Sequence, residues 1–170
     1  ITSKIKRNRF KQGLKIILKH RFVLHKAIRN YLQSMAGKYP LRSLEVAVGY
    51  ECNFSCDQCS CAFNRDPKRK RLSLEEFKNA IDQAVEMGAF QFNLNGGEPM
   101  LYFDEVLEIC KHIRGKDCYV HMATNGFFFT PDRMRIMKDA GLCSFEMGLD
   151  SSVESIHDAN RGKDSYRRIM

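Results

Sequence analysis

Leu44-Glu45-Val46-Ala47-Val48-Gly49-Tyr50-Glu51-Cys52-Asn53-Phe54-Ser55-Cys56-Asp57-Gln58-Cys59 is the stretch on which the fold of this chain turns. Leu44, Val46 and Val48 alternate with Glu45 and Ala47, the period of a β-strand, and the strand runs into a loop carrying three cysteines. The elements beyond that loop decide whether the strand belongs to a parallel sheet.

Downstream, Ser73 with Glu76 three residues later forms a capping-box signature. Leu74, Phe77, Ile81, Ala84 and Val85 then make one apolar face, and Gly88 sits where a helix stops. A second strand reads from Phe90 to Asn95 and a second helix from Asp104 to Ile113. A third strand covers Tyr119 to Ala123. Thr130-Pro131 then caps a third helix ending at Gly141, and a fourth strand covers Cys143 to Leu149. Strand and helix alternate throughout, with connections that suit right-handed parallel crossovers, so the fold class is α/β with a parallel sheet or barrel.

Upstream the rhythm is different. Phe10, Leu14, Ile17 and Leu18, then Leu24, Ile28 and Leu32, recur at helical spacing with Lys and Arg between them, and Gly37 and Pro40 close the segment. Residues 1–40 therefore read as a basic amphipathic helical extension and 41–170 as the core domain. The extension either docks on that domain or reaches a membrane surface or nucleic acid through residues 1–30.

The net charge of +8 over 170 residues belongs to that extension, because residues 1–30 hold ten Lys and Arg and no acidic residue. The remainder carries 18 basic against 20 acidic residues, so the basicity does not mark the catalytic surface. Seven cysteines is an odd count, and the longest apolar runs near the start are only Ile16 to Leu18 and Phe22 to Leu24, so no secretory signal is visible. These features imply a reducing, cytosolic setting, in which a tight cysteine cluster is more often a metal site than a disulfide framework. No stretch approaches the ~20 apolar residues of a membrane span.

Active sites of parallel α/β folds gather at the carboxyl ends of the strands, where the loops converge on one face. Four polar motifs fall on that rim: the cysteine loop after the first strand, Gly96-Gly97-Glu98-Pro99 after the second, Thr124-Asn125-Gly126 after the third and Asp150-Ser151-Ser152 after the fourth. The C-x3-C-x2-C spacing of Cys52, Cys56 and Cys59 lets one loop wrap a cubane cluster. Each iron of a [4Fe-4S] cluster takes one external ligand, so three thiolates leave one iron open to a substrate or cofactor. A structural zinc site completed by Cys61 stays open as an alternative, as do unliganded thiols. The glycines of Gly96-Gly97 let a backbone approach a ligand closely and offer carbonyls to an ammonium group.

Taken together, these residues resemble the radical S-adenosylmethionine (SAM) superfamily. The resemblance rests on Cys52, Cys56 and Cys59 as ligands of a [4Fe-4S] cluster, on Gly96-Gly97-Glu98-Pro99 as the segment that meets the SAM amino group, and on the strand order. It implies a parallel (β/α) barrel, of which about four of six strand-helix units are present, so the chain reads as the amino-terminal part of a longer protein. It also implies SAM as second cofactor, and a reduced flavodoxin- or ferredoxin-type donor whose electron breaks a carbon–sulfur bond of SAM. The resulting 5'-deoxyadenosyl radical takes hydrogen from a substrate that the sequence leaves unknown.

Thr124-Asn125-Gly126 resembles the family's third-strand motif, in which the Asn lines the SAM pocket. Gly148-Leu149-Asp150-Ser151 with His157-Asp158 and Arg161-Gly162 resembles members carrying a cluster-binding SPASM extension and relatives of the molybdopterin-biosynthesis enzyme. There Asp150 or Ser151 would meet ribose hydroxyls and Arg161 the SAM carboxylate. Two residues depart from the pattern: Gln58 stands where an aromatic residue would pack on adenine, and Gly148 stands where the fourth strand usually has serine. The rival readings are a zinc-binding interaction module and a cluster-binding relative without turnover. Cys110, Cys118 and Cys143 read as core thiols, His121 as a core or rim histidine that could face a barrel interior, and Phe127 to Phe129 as core or a docking patch.

Overall fold

Parallel neighbours in a sheet need a crossover between them, and the chain supplies one helix for each. A computed structural model describes residues 20–66 and 68–170. Strands β1 (Ser43–Gly49), β2 (Gln91–Gly96), β3 (Tyr119–Thr124) and β4 (Ser144–Met147) form one sheet in the order β1-β2-β3-β4, every pair parallel. Helix α1 (Leu24–Met35) precedes β1. Helices α2 (Leu74–Glu86), α3 (Phe103–Gly115) and α4 (Pro131–Asp139) make the crossovers, and α5 (Glu154–Arg161) and α6 (Ser165–Ile169) come after β4.

The alternation along the strands sorts their side chains onto two unlike faces. Val46, Val48, Phe92, Leu94, Val120 and Met122 are buried and pack with the helices: Phe77 and Ile81 come from α2, Val106, Ile109 and Ile113 from α3, and Met137 from α4. The opposite face is polar. Glu45, Asn93, His121 and Ser144 lie in register as one row across all four strands.

Local signals act as the sequence leads one to expect. Ser73 Oγ accepts from Glu76 N at 3.3 Å while Glu76 accepts from Ser73 N at 2.7 Å, a complete capping box. Thr130 caps α4 by accepting from Arg133 N. The fourth strand is shorter than its apolar run predicts, Ser144–Met147 rather than Cys143 to Leu149. Beyond Met147 the backbone of Gly148 lies against the guanidinium of Arg161.

Part of the amino-terminal helical period, residues 1–19, lies outside the described residues. Its described end is a 3-10 turn, Arg21–Val23, leading into α1. Two polar side chains tie α1 to the domain. Buried Asn30 donates to Leu41 O and Gly88 O at 3.0 and 2.8 Å, and Lys26 donates to Lys116 O and to Cys118 Sγ. Among the described residues no helix is long and apolar enough to cross a membrane.

Candidate active site

The carboxyl ends of the strands carry the four loops, and hydrogen bonds knit them together. As β1 ends, Gly49 O accepts from Gly97 N and Glu51 O from Glu98 N, both at 2.8 Å, so the second loop lies flat on the entry to the cysteine loop. A Cβ on Gly96 would run into Gly49 O and one on Gly97 into Glu51 O. Gly96 also has φ +124°, which strains any other residue. These glycines thus serve the contact between loops as well as the approach to a ligand.

Glu98 is fully buried. One carboxylate oxygen accepts from Met100 N at 2.9 Å and Thr124 Oγ1 at 2.8 Å, and the other from Asn125 N at 2.7 Å. Burial pushes its carboxyl upward in pKa, and these three hydrogen bonds oppose the shift. Glu98 therefore builds the rim, its carboxylate holding the third loop in place. Asn125, so placed, donates through Nδ2 to Asn53 Oδ1 at 2.8 Å and to Cys52 Sγ at 3.6 Å.

Each thiol of the loop meets a polar neighbour. Cys52 Sγ also accepts from Phe54 N at 3.4 Å, Cys59 Sγ accepts from Arg65 Nη2 at 3.8 Å, and Cys56 donates to Arg161 O at 3.7 Å. Burial pushes the Cys56 thiol up, Arg161 pulls it back, and the other two cysteines add to the rise. Phe54 stands edge-on to Phe127, ring centres 5.4 Å apart, which fastens the cysteine loop to the third loop.

At the fourth loop, Arg161 Nε and Nη2 donate to the two oxygens of Asp150 at 2.8 and 2.7 Å, and Gln58 Nε2 reaches Asp150 at 2.9 Å. Arg161 holds the Asp150 carboxyl below the usual carboxylate range. Both departures from the family pattern meet here: Gln58 binds Asp150, and Gly148 leaves the space that the Arg161 guanidinium fills. Ser151 is used locally, its Oγ accepting from Val153 N at the start of α5. The structure therefore gathers Cys52, Cys56, Cys59, Gly96, Gly97, Glu98, Asn125, Asp150 and Arg161 on one rim, with the hydroxyl of Ser151 in a turn beside it. Asn53, Phe54 and the polar strand face carried no motif in the sequence. Their only signal was position, Asn53 and Phe54 inside the cysteine loop and the others at alternate strand residues.

Of the remaining thiols, Cys61 and Cys143 are half-buried like these three, so Cys143 is not the core thiol its apolar context predicts, and two others are buried. Cys110 is buried in the core and pushed up to about 12 by burial, and Cys118 is buried as well. Among the described residues, no three Cys, His, Asp or Glu side chains converge on a point that a single ion could occupy. Three free, partly exposed thiols on one loop, two of them receiving N–H groups, fit the donor set of a cubane cluster with one open iron.

The sequence profile described as the Radical SAM superfamily matches residues 46–170. The chain belongs to the radical SAM superfamily. It is 27% identical over 124 residues to the PqqA peptide cyclase of Bradyrhizobium diazoefficiens, an alignment covering 72% of this chain and 32% of that enzyme. It is 31% identical over 118 residues to the mycofactocin maturase MftC of Mycolicibacterium smegmatis, covering 69% of this chain and 29% of the relative. The chain thus spans about a third of the length of these radical SAM relatives. Among solved structures, Streptococcus suis SuiB bound to its precursor peptide SuiA shares the fold, with a TM-score of 0.61 at 17% identity over 77% of this chain and 29% of SuiB.

Proposed function

We propose that this protein is a radical SAM enzyme acting on a peptide. The observation that carries the reading is the single rim on which the three loop cysteines, the Gly96-Gly97 backbone and Asn125 meet. Cys52, Cys56 and Cys59 would hold the [4Fe-4S] cluster, and Gly96, Gly97 and Asn125 would line the SAM site, with Glu98 holding the backbone of Asn125. Asp150 and Arg161 would border it as a pair, and Ser151 would stand at its edge. When bound, the reduced cluster supplies the electron and SAM the carbon radical that takes hydrogen from substrate.

The chain's own residues then hold the loops in register, and donate N–H groups to Cys52 and Cys59 sulfur. A peptide as substrate is supported by the relatives, one named as a peptide cyclase and one solved with a precursor peptide. A reduced flavodoxin or ferredoxin in the cytoplasm would deliver the electron. A membrane or nucleic-acid contact by residues 1–30 is the corresponding proposal for the basic segment.

Anaerobic reconstitution of the full-length protein with iron and sulfide tests the reading. A brown protein that yields 5'-deoxyadenosine from SAM on reduction supports it, with Cys56→Ala losing the cluster and Cys61→Ala keeping it. A colourless protein holding stoichiometric zinc sinks it. Tight SAM binding without 5'-deoxyadenosine favours a relative that has lost turnover.

A further inference from the structure

The polar face of the sheet is not used by the rim. Parallel sheets usually bury both faces under apolar side chains, but here the face opposite the helices carries a hydrogen-bonded polar row. Glu45 accepts from Asn93 Nδ2 at 2.5 Å through one oxygen and from Asn95 Nδ2 at 2.6 Å through the other. Across the sheet, His121 Nδ1 lies 2.7 Å from Ser144 Oγ, and His121 Nε2 stands 3.8 Å from Glu146. The row Glu45, Asn93, His121, Ser144 is continuous in register.

Such a face cannot close as an apolar core, because burying a carboxylate that amides bind but no cation neutralises costs more than packing returns. It therefore lines a wet or ligand-filled space. Its position fits substrate: Asn95 directly precedes Gly96 on the rim, and Glu45 lies on the strand that leads to Cys52. Its charge selects the ligand. Two carboxylates, Glu45 and Glu146, stand near opposite edges, and the strand residues of this face include no Lys or Arg. Two amide donors leave Glu45 with further lone pairs, so its fixed carboxylate still accepts from a ligand.

We infer that this face is the substrate-side subsite and that it takes a cationic side chain, lysine or arginine, of the peptide. The inference rests on the peptide reading above and names the part of the peptide that is recognised. Asn93 and Asn95 are positioning residues that fix the Glu45 carboxylate, and Glu45 meets the cation.

The test uses cluster-loaded, SAM-bound full-length protein and three probes, the Nα-acetyl methylamides of lysine, norleucine and glutamate, with binding read by ligand-observed NMR. Lysine should bind about tenfold more tightly than norleucine, the worth of a charge-assisted hydrogen bond, and glutamate more weakly than either. Glu45→Gln should abolish that preference, with cluster absorbance and circular dichroism reporting that the variant folds. Glu108→Gln, on the exposed face of α3, should leave it intact. Equal binding of the probes, no binding of any, or a preference that survives Glu45→Gln overturns the subsite. Absence of 5'-deoxyadenosine with the lysine preference intact overturns the enzyme reading instead and leaves the subsite standing.

Discussion

Arg161 closes two nitrogens on the two oxygens of Asp150, and the backbone of Gly148 lies directly beneath the guanidinium. The side chains are only 19% and 13% exposed, and the pair joins the end of α5 to the fourth loop while Gln58 joins both to the cysteine loop. Gly148→Ala should displace the guanidinium and lower stability by about 1–3 kcal/mol, the range for overpacking a tight site. In an Arg161→Ala background the same change should cost almost nothing. Urea denaturation of the four proteins of this double-mutant cycle reads the difference, and additive costs would show that Gly148 and Arg161 do not share the space.

Asp150 also makes the pair sensitive to acid. Its folded carboxyl binds a proton less readily than an unfolded aspartate, because Arg161 donates to it. The pair's contribution is therefore present above the ordinary aspartate range, about pH 4, and is lost as pH falls through the lower folded value. Wild-type protein should lose stability below about pH 4 more steeply than Asp150→Asn. Thermal melting across pH 2 to 6 compares them, and parallel curves would falsify the coupling.

What the sequence made legible was local. Ser73 with Glu76, the alternation from Leu44 to Val48 and the spacing of Cys52, Cys56 and Cys59 all act within a few residues, so their geometry is written in their spacing. The rim contacts were not legible, since Asn125 lies 73 residues from Cys52 and Asp150 lies 92 from Gln58. Gln58 and Gly148 looked like two separate losses of ligand contact. They turn out to be two halves of one arrangement around Asp150, and only the approach of Arg161 makes glycine fit at position 148. The polar face was legible only in part: His121 read as a residue that could face a barrel interior, and only register places Asn93 beside it in one row.

Glu98 should not tolerate its neutral isostere. Its second oxygen accepts from Asn125 N, so the amide of Glu98→Gln must turn an N–H toward that N–H or toward the pair formed by Met100 N and Thr124 Oγ1. Leaving a buried donor without an acceptor costs about 1–3 kcal/mol. Equilibrium unfolding should report a loss of that size, and hydrogen exchange at Asn125 N should accelerate. A variant as stable as the wild type, with unchanged exchange, would mean that the third loop is held by something else.

Asn125 offers the most direct way to read the environment of the proposed cluster. Its Nδ2 approaches Cys52 Sγ at 3.6 Å, and an N–H directed at a ligating sulfur favours the reduced, more negative state of an iron–sulfur cluster. Asn125→Ala removes that donor and leaves the three thiols, so iron loading should persist while the reduction potential falls. Asn125→Asp removes the donor and sets a negative charge beside the sulfur, so the potential should fall further. Redox titration of the full-length reconstituted proteins, followed by electron paramagnetic resonance, should rank them wild type, Asn125→Ala, Asn125→Asp from highest to lowest. One potential shared by all three would place the side chain outside the influence of the cluster and return Asn125 to the role of a turn residue, where its Oδ1 already accepts from Phe127 N.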